Sequence, residues 1–397
     1  MCFLFVWLPA AGKFDMAHIA EVLLWLSLTA LLYVYVGYPL VLAGLSVFFR
    51  GRKSELEYTP FLSILIAAYN EEAGIRGKLE RTVALDYPAE KMEIIVLSDG
   101  STDRTDEIVK TFPDPRVQLL HVAGRKGKTN AQNEGVKVAR GEVLVFSDAT
   151  TTYHPQAIRY LASNYSDPHV GAASGRYQYF DPQGESPTGL GTVAFWNYEN
   201  FIKMMQSRIH TVSGCCGCIY SVRRNAYTPL APEVISDLVQ PLHVIRQGHR
   251  VVFEDRALAY EETTQSTSEE FSMRVRVVTR GIRGLLSVSE LLNPLKSGWV
   301  AFQLWSHKVL RWLVPFFLCI LFVSNIFLWQ HPLYRLLLLS QAIFYLITLF
   351  SLVVPIQKVW KPLSIPLYFC TLNAAAFFSV IEVLRGKKYV VWETVRT

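Results

Sequence analysis

The longest uncharged run in the chain restricts its fold more than any other feature. Positions 22–49 carry no charged side chain over 28 residues, and a helix needs about 20 apolar residues to cross a bilayer. Further uncharged runs of 18, 22 and 19 residues lie at 312–329, 336–357 and 363–381. A cleaved signal peptide is the alternative for the first run, but the run is longer than the apolar part of such a peptide and lacks a small-residue cleavage site. We therefore predict an integral membrane protein whose residues 1–53 form an N-terminal anchor.

Basic residues beside the apolar runs predict the orientation of the chain, because cytoplasmic segments carry an excess of lysine and arginine. The sequence "RGRK" at 50–53 follows the first run, and Lys308 and Arg311 precede the second. The block between them is therefore predicted to be cytoplasmic, in a multi-pass protein of the plasma or inner membrane. Four spans would put the C-terminus outside, yet positions 385–397 carry four basic residues. Either all four runs span, or one of the weaker runs lies in the interface or re-enters.

Positions 54–295 alternate between short apolar runs and helix-compatible segments. The predicted strands are "FLSILIAAY" at 61–69, "MEIIVLSDG" at 92–100, "RVQLLHV" at 116–122 and "GEVLVFSDA" at 141–149. Because helices separate them, we predict an α/β, Rossmann-like domain with a mostly parallel sheet. Positions 296–397 would then form an interfacial helix and the C-terminal transmembrane helices. Ligands bind beyond the carboxyl ends of such strands, where Tyr69, Asp99 and Asp148 fall.

Charge and two misleading motifs exclude several other functions. The net charge of +6 is mostly the excess beside the apolar runs, so we predict contact with anionic lipid headgroups and no nucleic-acid partner. The sequence "GRKGKT" at 124–129 resembles a phosphate loop, but Val122 stands where that loop needs glycine. Cys215, Cys216 and Cys218 are too close together for a disulfide framework, and a zinc site would need a second, distant pair of ligands. These cysteines are therefore predicted to be small buried thiols.

Five motifs, in this order, resemble those of the family 2 glycosyltransferases, the group that contains cellulose, hyaluronan and poly-N-acetylglucosamine synthases. They are "SILIAAYNEE", "VLSDGSTDRT", "GKTNAQNEG", "FSDAT" and "VISDLVQPL", within roughly residues 60–285. Ala67 stands where proline is common in the first of them. Those synthases also have membrane spans on both sides of the catalytic domain. The resemblance implies a GT-A fold and a cytoplasmic enzyme domain that uses a nucleotide-sugar donor.

The resemblance further implies a donor site at the strand ends. Ala68, Tyr69 and Glu71 would contact the base and ribose, and Asp99 would face the uridine part of a UDP-sugar. Lys128 would neutralise the diphosphate oxygens. Asp99 ends a buried strand, where a carboxylate must find hydrogen-bond donors or stay solvated. The residues alone leave simpler roles open, namely loop packing for Tyr69 and Glu71, helix capping for Asp99 and a solvated surface position for Lys128.

Asp148 stands at the place of the family's metal motif, and Thr150 occupies the position at which many of these enzymes have a second acid. The departing nucleoside diphosphate gathers negative charge, which a divalent cation held by oxygen ligands stabilises. Mg²⁺ keeps several waters and needs only one or two protein carboxylates, since substrate phosphates supply the rest. We therefore predict a divalent metal, Mg²⁺ or Mn²⁺, near Asp148, with the Thr150 hydroxyl able to hold a metal-bound water.

Asp237 is the predicted catalytic base. Inversion at the anomeric carbon requires a group that takes the proton from the acceptor hydroxyl as it attacks, and in the family an acidic residue ahead of a helix has this role. Capping of that helix is the alternative function of Asp237, although Ser236 could cap instead. Glu233, a few residues upstream, is the weaker alternative base.

Arg280 aligns with the arginine of the Gln-x-x-Arg-Trp motif of the processive synthases, and we predict that it acts in catalysis. Val277 and Gly281 replace the glutamine and the tryptophan, so processive polymerisation is in doubt. Arg276 and Arg283 share one helix face with Arg280, a face suited to a diphosphate or to an anionic membrane surface. The sequence "KVLRW", which begins at Lys308, looks like the missing motif but abuts an apolar run, so it is predicted to be an interfacial anchor.

Two further segments are predicted to border the acceptor. Glycines at 213–227 let the backbone approach a sugar closely, and aromatic residues at 191–208 would either stack on sugar rings or pack in the core. The predicted enzyme is a membrane-bound inverting glycosyltransferase with a polysaccharide or lipid-linked acceptor. The alternatives are a single-addition transferase acting on a polyprenyl phosphate or another lipid, and a non-catalytic membrane regulator that binds nucleotide.

Overall fold

The computed structural model describes residues 16–49, 54–180, 186, 189–263, 266–354 and 360–391. The basic residues at 50–53, on which the predicted orientation depends, and the end of the chain at 392–397 lie outside this description. Within the predicted central block, 54–295, all residues except 181–185, 187–188 and 264–265 are described, as a single α/β domain between helices. The helical segment that follows this domain begins at Pro294, beside the predicted boundary at 295.

An eight-stranded sheet organises the central domain. Its strands are β1 (Leu62–Ala68), β2 (Met92–Asp99), β3 (Val117–Val122), β4 (Val143–Asp148), β5 (Thr152–Tyr153), β6 (Val170–Phe180), β7 (Ile219–Arg223) and β8 (Arg250–Glu262). Their order is β3-β2-β1-β4-β7-β6-β8-β5. The pairs among β1 to β4 are parallel, whereas β7 pairs antiparallel with both β4 and β6. The predicted mostly parallel α/β sheet is confirmed.

Thirteen helices are described, of which seven belong to the central domain. Those seven are α3 (Ile75–Val83), α4 (Thr105–Lys110), α5 (Lys128–Val138), α6 (Ala157–Ser163), α7 (Gly189–Ile209), α8 (Ser236–Arg246) and α9 (Thr267–Leu286). The flanking helices are α1 (Met16–Leu32), α2 (Tyr38–Ser46), α10 (Pro294–Leu304), α11 (Leu310–Phe327), α12 (Pro332–Val353) and α13 (Ser364–Leu384). One π-helical turn, Tyr33–Gly37, joins α1 to α2, and another, Trp305–Val309, joins α10 to α11.

The sheet is buried on both faces, which explains why its central strands are apolar without interruption. Every residue of β1 and of β2 is buried. Ile64 and Ile94 pack in one hydrophobic core, and Leu65 and Ile95 pack in a second core on the opposite face, because successive side chains of a strand point to opposite faces. The carboxyl ends of these strands are thereby held in one rigid row.

Four helical segments are long and apolar enough to cross a membrane, namely Met16–Ser46, Pro294–Phe327, Pro332–Val353 and Lys361–Leu384. The first two run antiparallel to each other. The Tyr33 hydroxyl lies 2.7 Å from Ser306 Oγ, and towards the other end of α1 Glu21 accepts a hydrogen bond from Tyr334, in the first turn of α12, which follows α11. Large apolar side chains on the outer faces of these helices are exposed, as expected of surfaces in contact with lipid.

The last apolar helix, α13, contacts the central domain at both of its ends. Near its start Tyr368 packs against Gly191 of α7. Near its end Ser379 Oγ donates to the Val275 carbonyl of α9 at 3.1 Å, and beyond its end the Lys387 carbonyl accepts from Arg283 Nε at 2.9 Å. A helix that spans a bilayer places its ends on opposite sides. These contacts favour the alternative in which one of the four runs lies in the interface, and we expect α13 to be that run, beside α9.

This inference predicts the side on which the C-terminal segment is accessible. We expect a cysteine at Lys387→Cys to react with a membrane-impermeant maleimide from the same side as Lys137→Cys, on the exposed surface of α5. A cysteine at Gln330→Cys, in the turn between α11 and α12, should react from the opposite side. The labelling is measured above the wild-type background in sealed vesicles of both orientations. Labelling of Lys387→Cys from the side of Gln330→Cys would show that α13 crosses the membrane.

Candidate active site

Three predicted site residues meet around Gly217. Lys128 is the first residue of α5, and its ammonium group forms an ion pair with Asp148 at the end of β4. The same ammonium nitrogen lies 3.4 Å from the Gly217 carbonyl oxygen. A Cβ at Gly217 would lie 2.6 Å from Asp237 Oδ2, so only glycine permits this close approach. Residues distant in the chain thus converge on one crevice at the edge of the sheet.

Asp237 has the environment of a general base. Its Oδ1 has no hydrogen-bond partner among the described residues, and burial raises the pKa of its carboxyl group, an effect that Lys128 and Lys203 partly oppose. Helix α8 begins at Ser236 without a side-chain cap, so the capping alternative is not observed. The alternative base Glu233 forms an ion pair with Lys388 at 3.0 Å, and this hydrogen bond lowers its pKa.

Burial alone would lower the pKa of Lys128, but the adjacent Asp148 carboxylate raises it. The lysine therefore remains a cation at neutral pH. A second, fully buried lysine lies beneath the same turn, because Lys78 Nζ donates to Ser147 Oγ at 2.8 Å and to the Thr151 carbonyl at 2.7 Å. Burial lowers the pKa of Lys78 to about 8. These two hydrogen bonds fix the turn that carries Asp148, a role that the sequence analysis missed.

Asp99 is fully buried at the end of β2 and holds the loop that leads to Lys128. Its two carboxylate oxygens accept hydrogen bonds from the backbone N–H groups of Lys126 and Gly127, at 2.9 and 2.8 Å. The donors that a buried carboxylate requires are therefore supplied by this loop. The capping alternative for Asp99 is not observed, and its predicted contact with uridine stays a prediction.

The other predicted donor-site residues lie at the end of β1. Ala68 is buried, and the Arg125 guanidinium lies 4.0 Å from the centre of the Tyr69 ring. The Glu71 backbone N–H donates to Thr105 Oγ1 at 2.8 Å. The Glu71 side chain lines a cleft of about 680 Å³ that also contains Thr150. The predicted contacts of Ala68, Tyr69 and Glu71 with the base and ribose stay predictions.

The residues around Asp148 can hold a metal ion only if the phosphates of a nucleotide-sugar donor complete the coordination of that ion. Thr150 Oγ1 donates to Glu261 Oε1 at 3.2 Å, so this hydroxyl faces a neighbouring carboxylate. Within the described ranges, no three His, Cys, Asp or Glu side chains are grouped closely enough to hold a metal ion. Asp148 therefore supplies a single carboxylate, and Mg²⁺ or Mn²⁺ would take its remaining ligands from phosphate oxygens and water.

Arg280 holds the two segments that carry Lys128 and Asp237. Its guanidinium donates to Thr129 Oγ1 at 2.8 Å and to the Val234 carbonyl at 2.6 Å. Burial lowers the pKa of Arg280 to about 10. Arg276 lies one turn earlier on α9, whereas Arg283 contacts the C-terminal segment. The hydrogen bonds of Arg280 connect the segments of Thr129 and Val234, and the predicted catalytic role of Arg280 stays a prediction.

The C-terminal segment beyond α13 packs against the loop before Lys128. Gly127 has a positive φ of 94°, and a Cβ on it would lie 2.2 Å from the Val390 carbonyl oxygen. We expect Gly127→Ala to release this segment, measured as faster hydrogen–deuterium exchange over residues 386–391. Gly124→Ala is the matched control, because its φ is 73° but no atom lies within 4 Å of the added Cβ. Equal exchange in both variants would show that backbone strain, and not contact with Val390, is responsible.

A cavity of about 350 Å³ opens from Asp237 between α7, α9, α11 and α13. Aromatic side chains of the predicted acceptor segment line it, among them Phe195, Trp196 and Tyr198. Trp196 also packs on Tyr177, with ring centres 4.5 Å apart, so the same residues serve both the core and the cavity. Cys215 lines the cavity as well, and it is buried as predicted, together with Cys216 and Cys218.

Charged residues in this cavity were missed by the sequence analysis. They are Glu199 and Lys203 of α7, His307 and Lys308 of the π-helical turn, and Arg311 of α11. The interfacial position of "KVLRW" stays a prediction, but Lys308, Arg311 and Trp312 also line the cavity beside Asp237, which the sequence analysis did not predict. The sequence did contain a signal for this arrangement. Arg311 and Trp312 follow Lys308 by three and four residues, a spacing that places side chains on one helix face.

Residues 63–230 match the family described as Glycosyl transferase family 2. The probable glycosyltransferase YdaM of Bacillus subtilis (strain 168) is 27% identical over 237 residues, which are 56% of this chain and 56% of that protein. A poly-β-1,6-N-acetyl-D-glucosamine synthase of Staphylococcus epidermidis is 26% identical over 244 residues, 59% of this chain and 58% of that protein. The chain thus spans just over half the length of these curated relatives.

One solved structure resembles almost the whole chain. The mannosyltransferase PcManGT from Pyrobaculum calidifontis, in complex with GDP-Man and Mn²⁺, superposes with a TM-score of 0.72 at 19% identity. The match covers 94% of this chain and 99% of the other. Similarity at this level of identity concerns the fold, and it confirms the predicted GT-A architecture.

Proposed function

Residues 63–230 form a glycosyltransferase family 2 domain, and from this premise we propose that the protein is a membrane-bound, inverting glycosyltransferase. It takes a sugar from a nucleotide-sugar donor, a UDP-sugar in our proposal, at the cytoplasmic face of the bilayer. The observation that carries the proposal is the convergence of Lys128, Asp148 and Asp237 around Gly217, with Asp237 also lining the acceptor cavity. In this proposal the lipid bilayer surrounds α1, α2, α11 and α12, and α13 lies at its surface.

Asp237 acts as the base in this reaction. The acceptor oxygen forms a bond to the anomeric carbon on one face, while the bond from that carbon to the diphosphate oxygen breaks on the other. The proton of the acceptor hydroxyl passes to Asp237, whose unpartnered Oδ1 is available to take it. A carboxylate whose pKa is raised by burial is a stronger base than an exposed aspartate, which favours this transfer.

Lys128 stabilises the leaving group. A permanent cation that is already positioned costs no reorganisation as negative charge develops on the diphosphate. Asp148 and the donor's own phosphate oxygens would hold a divalent metal, which supplies further neutralisation of that charge. Asp99 and Arg280 keep Lys128 and Asp237 in place through the hydrogen bonds to the loops before α5 and α8.

The acceptor is a polysaccharide or a lipid-linked molecule that enters through the cavity. Val277 and Gly281 line this cavity, where a processive synthase would have the glutamine and the tryptophan of its motif. Because these motif residues are absent, the transfer of a single sugar is the second candidate reaction, besides polymerisation.

The proposal is tested by incubating the full-length protein with a panel of radiolabelled nucleotide sugars in lipid nanodiscs. The incubations contain native membrane lipid extract, with Mg²⁺, with Mn²⁺ or with a chelator. We expect transfer or hydrolysis of one donor, and the length of the product separates polymerisation from a single addition. Nucleotide binding without turnover of any donor would instead support the non-catalytic regulator.

A further inference from the structure

The cavity beside Asp237 contains more positive charge than its carboxylates neutralise. Four cationic side chains line it, Lys203, Arg274, Lys308 and Arg311. Arg274 forms an ion pair with Glu270 at 2.7 Å, and Arg311 forms one with Glu199. His307 also contacts Glu199, at 3.2 Å. Two lysines therefore remain for a single carboxylate, that of Asp237.

Neither of these lysines has an anionic partner of its own. Lys203 Nζ lies 3.1 Å from Cys216 Sγ and 5.6 Å from the centre of the Trp196 ring. Lys308 makes no hydrogen bond and no ion pair with any residue in the described part of the chain. Burying an uncompensated ammonium group is costly, so this pair of lysines is expected to have an anionic ligand.

One wall of the cavity comes from the helices that flank the central domain and is apolar except for Asn373. Tyr35 of the turn after α1 and Ile365, Phe369, Leu372 and Ala376 of α13 form this wall. The lining thus combines the carboxylate of Asp237, the ammonium groups of two lysines and an apolar surface from the flanking helices. A neutral polysaccharide would leave both lysines uncompensated, whereas an anionic amphiphile matches every part of the lining.

We propose that the acceptor is a lipid-linked sugar whose phosphate group is bound by Lys308 and Lys203. Its hydroxyl group faces Asp237, and its hydrocarbon chain lies along the wall formed by α13 and Tyr35. This inference rests on the proposed function, to which it adds the class of acceptor. The attacking group of this acceptor is a sugar hydroxyl and not the phosphate itself. A hydroxyl needs a base to take its proton, so a base and an anion site are both required. Lys308 and Lys203 act in binding and orientation, and Asp237 alone touches the reacting oxygen.

The test measures amphiphile binding and needs no knowledge of the donor. The full-length protein in phosphatidylcholine nanodiscs is titrated with dodecyl phosphate, with the neutral dodecyl maltoside and with inorganic phosphate. We expect dodecyl phosphate to bind more tightly than either of the other probes. Lys308→Gln should lower the affinity for dodecyl phosphate at least about tenfold, because it removes one charge-assisted hydrogen bond. The affinity for dodecyl maltoside should not change.

Two variants control for structural damage. Lys308→Arg keeps the charge and should retain most of the affinity for dodecyl phosphate. Lys296→Gln removes an exposed lysine of α10 outside the cavity and should change nothing. Equal binding of the two amphiphiles to the wild type, or an unchanged affinity in both Lys308→Gln and Lys203→Gln, would overturn the proposal in favour of a neutral polymer. Tight binding of inorganic phosphate alone would show an anion site that does not recognise lipid.

The two proposals fail separately. If no nucleotide sugar is turned over but dodecyl phosphate binds through Lys308, the cavity is a site for an anionic lipid in a protein that is not a transferase. If a sugar is transferred while Lys308→Gln has no effect on the binding of dodecyl phosphate, the transferase stands and the class of acceptor is wrong.

Discussion

We expect Asp237→Asn to lower the rate of sugar transfer by about 10²–10⁴-fold, the contribution typical of a general base. Asparagine keeps the size of the side chain, and therefore its fit against Gly217, but it takes no proton from the acceptor. Nucleotide binding should not change, because Asp237 lies on the acceptor side of the crevice. The measurement is initial transfer rate with the donor identified in the panel, together with the affinity for the corresponding nucleoside diphosphate.

Glu233→Gln is the matched control for this variant. It removes a carboxylate four residues upstream, and Glu233 forms its ion pair with Lys388 on the surface. We expect its activity to equal that of the wild type. A loss of activity in Glu233→Gln with none in Asp237→Asn would assign the base to Glu233.

The pH dependence provides a further check on Asp237. The base works only when deprotonated, so the rate falls as the pH decreases through its pKa. Because burial raises this pKa, the acid limb of kcat/KM should lie above the ordinary aspartate value of about 3.9. This limb should disappear from the residual activity of Asp237→Asn. A limb that persists in the variant would belong to another group.

The second large effect is expected for Asp148→Asn. The variant removes the carboxylate that we propose binds the metal, and it also leaves Lys128 without its ion-pair partner. Activity should fall at least about a hundredfold, as for the loss of other groups that stabilise developing charge. Added Mn²⁺ should no longer stimulate the remaining activity. The measurement is transfer rate as a function of Mn²⁺ and Mg²⁺ concentration.

Glu107→Gln controls for the loss of one negative charge, since Glu107 is an exposed residue of α4. It should leave both the rate and the dependence on metal unchanged. Full activity of the wild type in the presence of a strong chelator would remove the metal from the proposal. Lys128 would then be the main stabiliser of the leaving group.

The sheet and the ends of its strands could be predicted because the signals for them lie within short segments of the sequence. Uninterrupted apolar strands followed by Asp99 and Asp148 indicate a buried parallel sheet with acids at its edge, and the structure has this arrangement. Asp237 was predicted from the family resemblance together with the chemistry of inversion. Its approach to Lys128 depends on Gly217, whose role is visible only when β7 and α8 are packed together.

The parts that were missed depend on contacts between distant segments. Lys203 and Lys308 belong to helices about a hundred residues apart, and no periodicity places them in one cavity. Hydropathy measures the composition of α13 but does not reveal that its two ends pack on the catalytic domain. The catalytic role of Arg280 stays a prediction, whereas the hydrogen bond from its guanidinium to the Val234 carbonyl could not be read from the sequence.

A structure of the full-length protein with its nucleoside diphosphate and Mn²⁺ bound would test the central claim most directly. We expect the diphosphate oxygens to contact Lys128 and the ion at Asp148, with Asp237 across the crevice at the opening of the cavity. A diphosphate bound away from Lys128, with Asp237 separated from it by packed protein, would contradict the account.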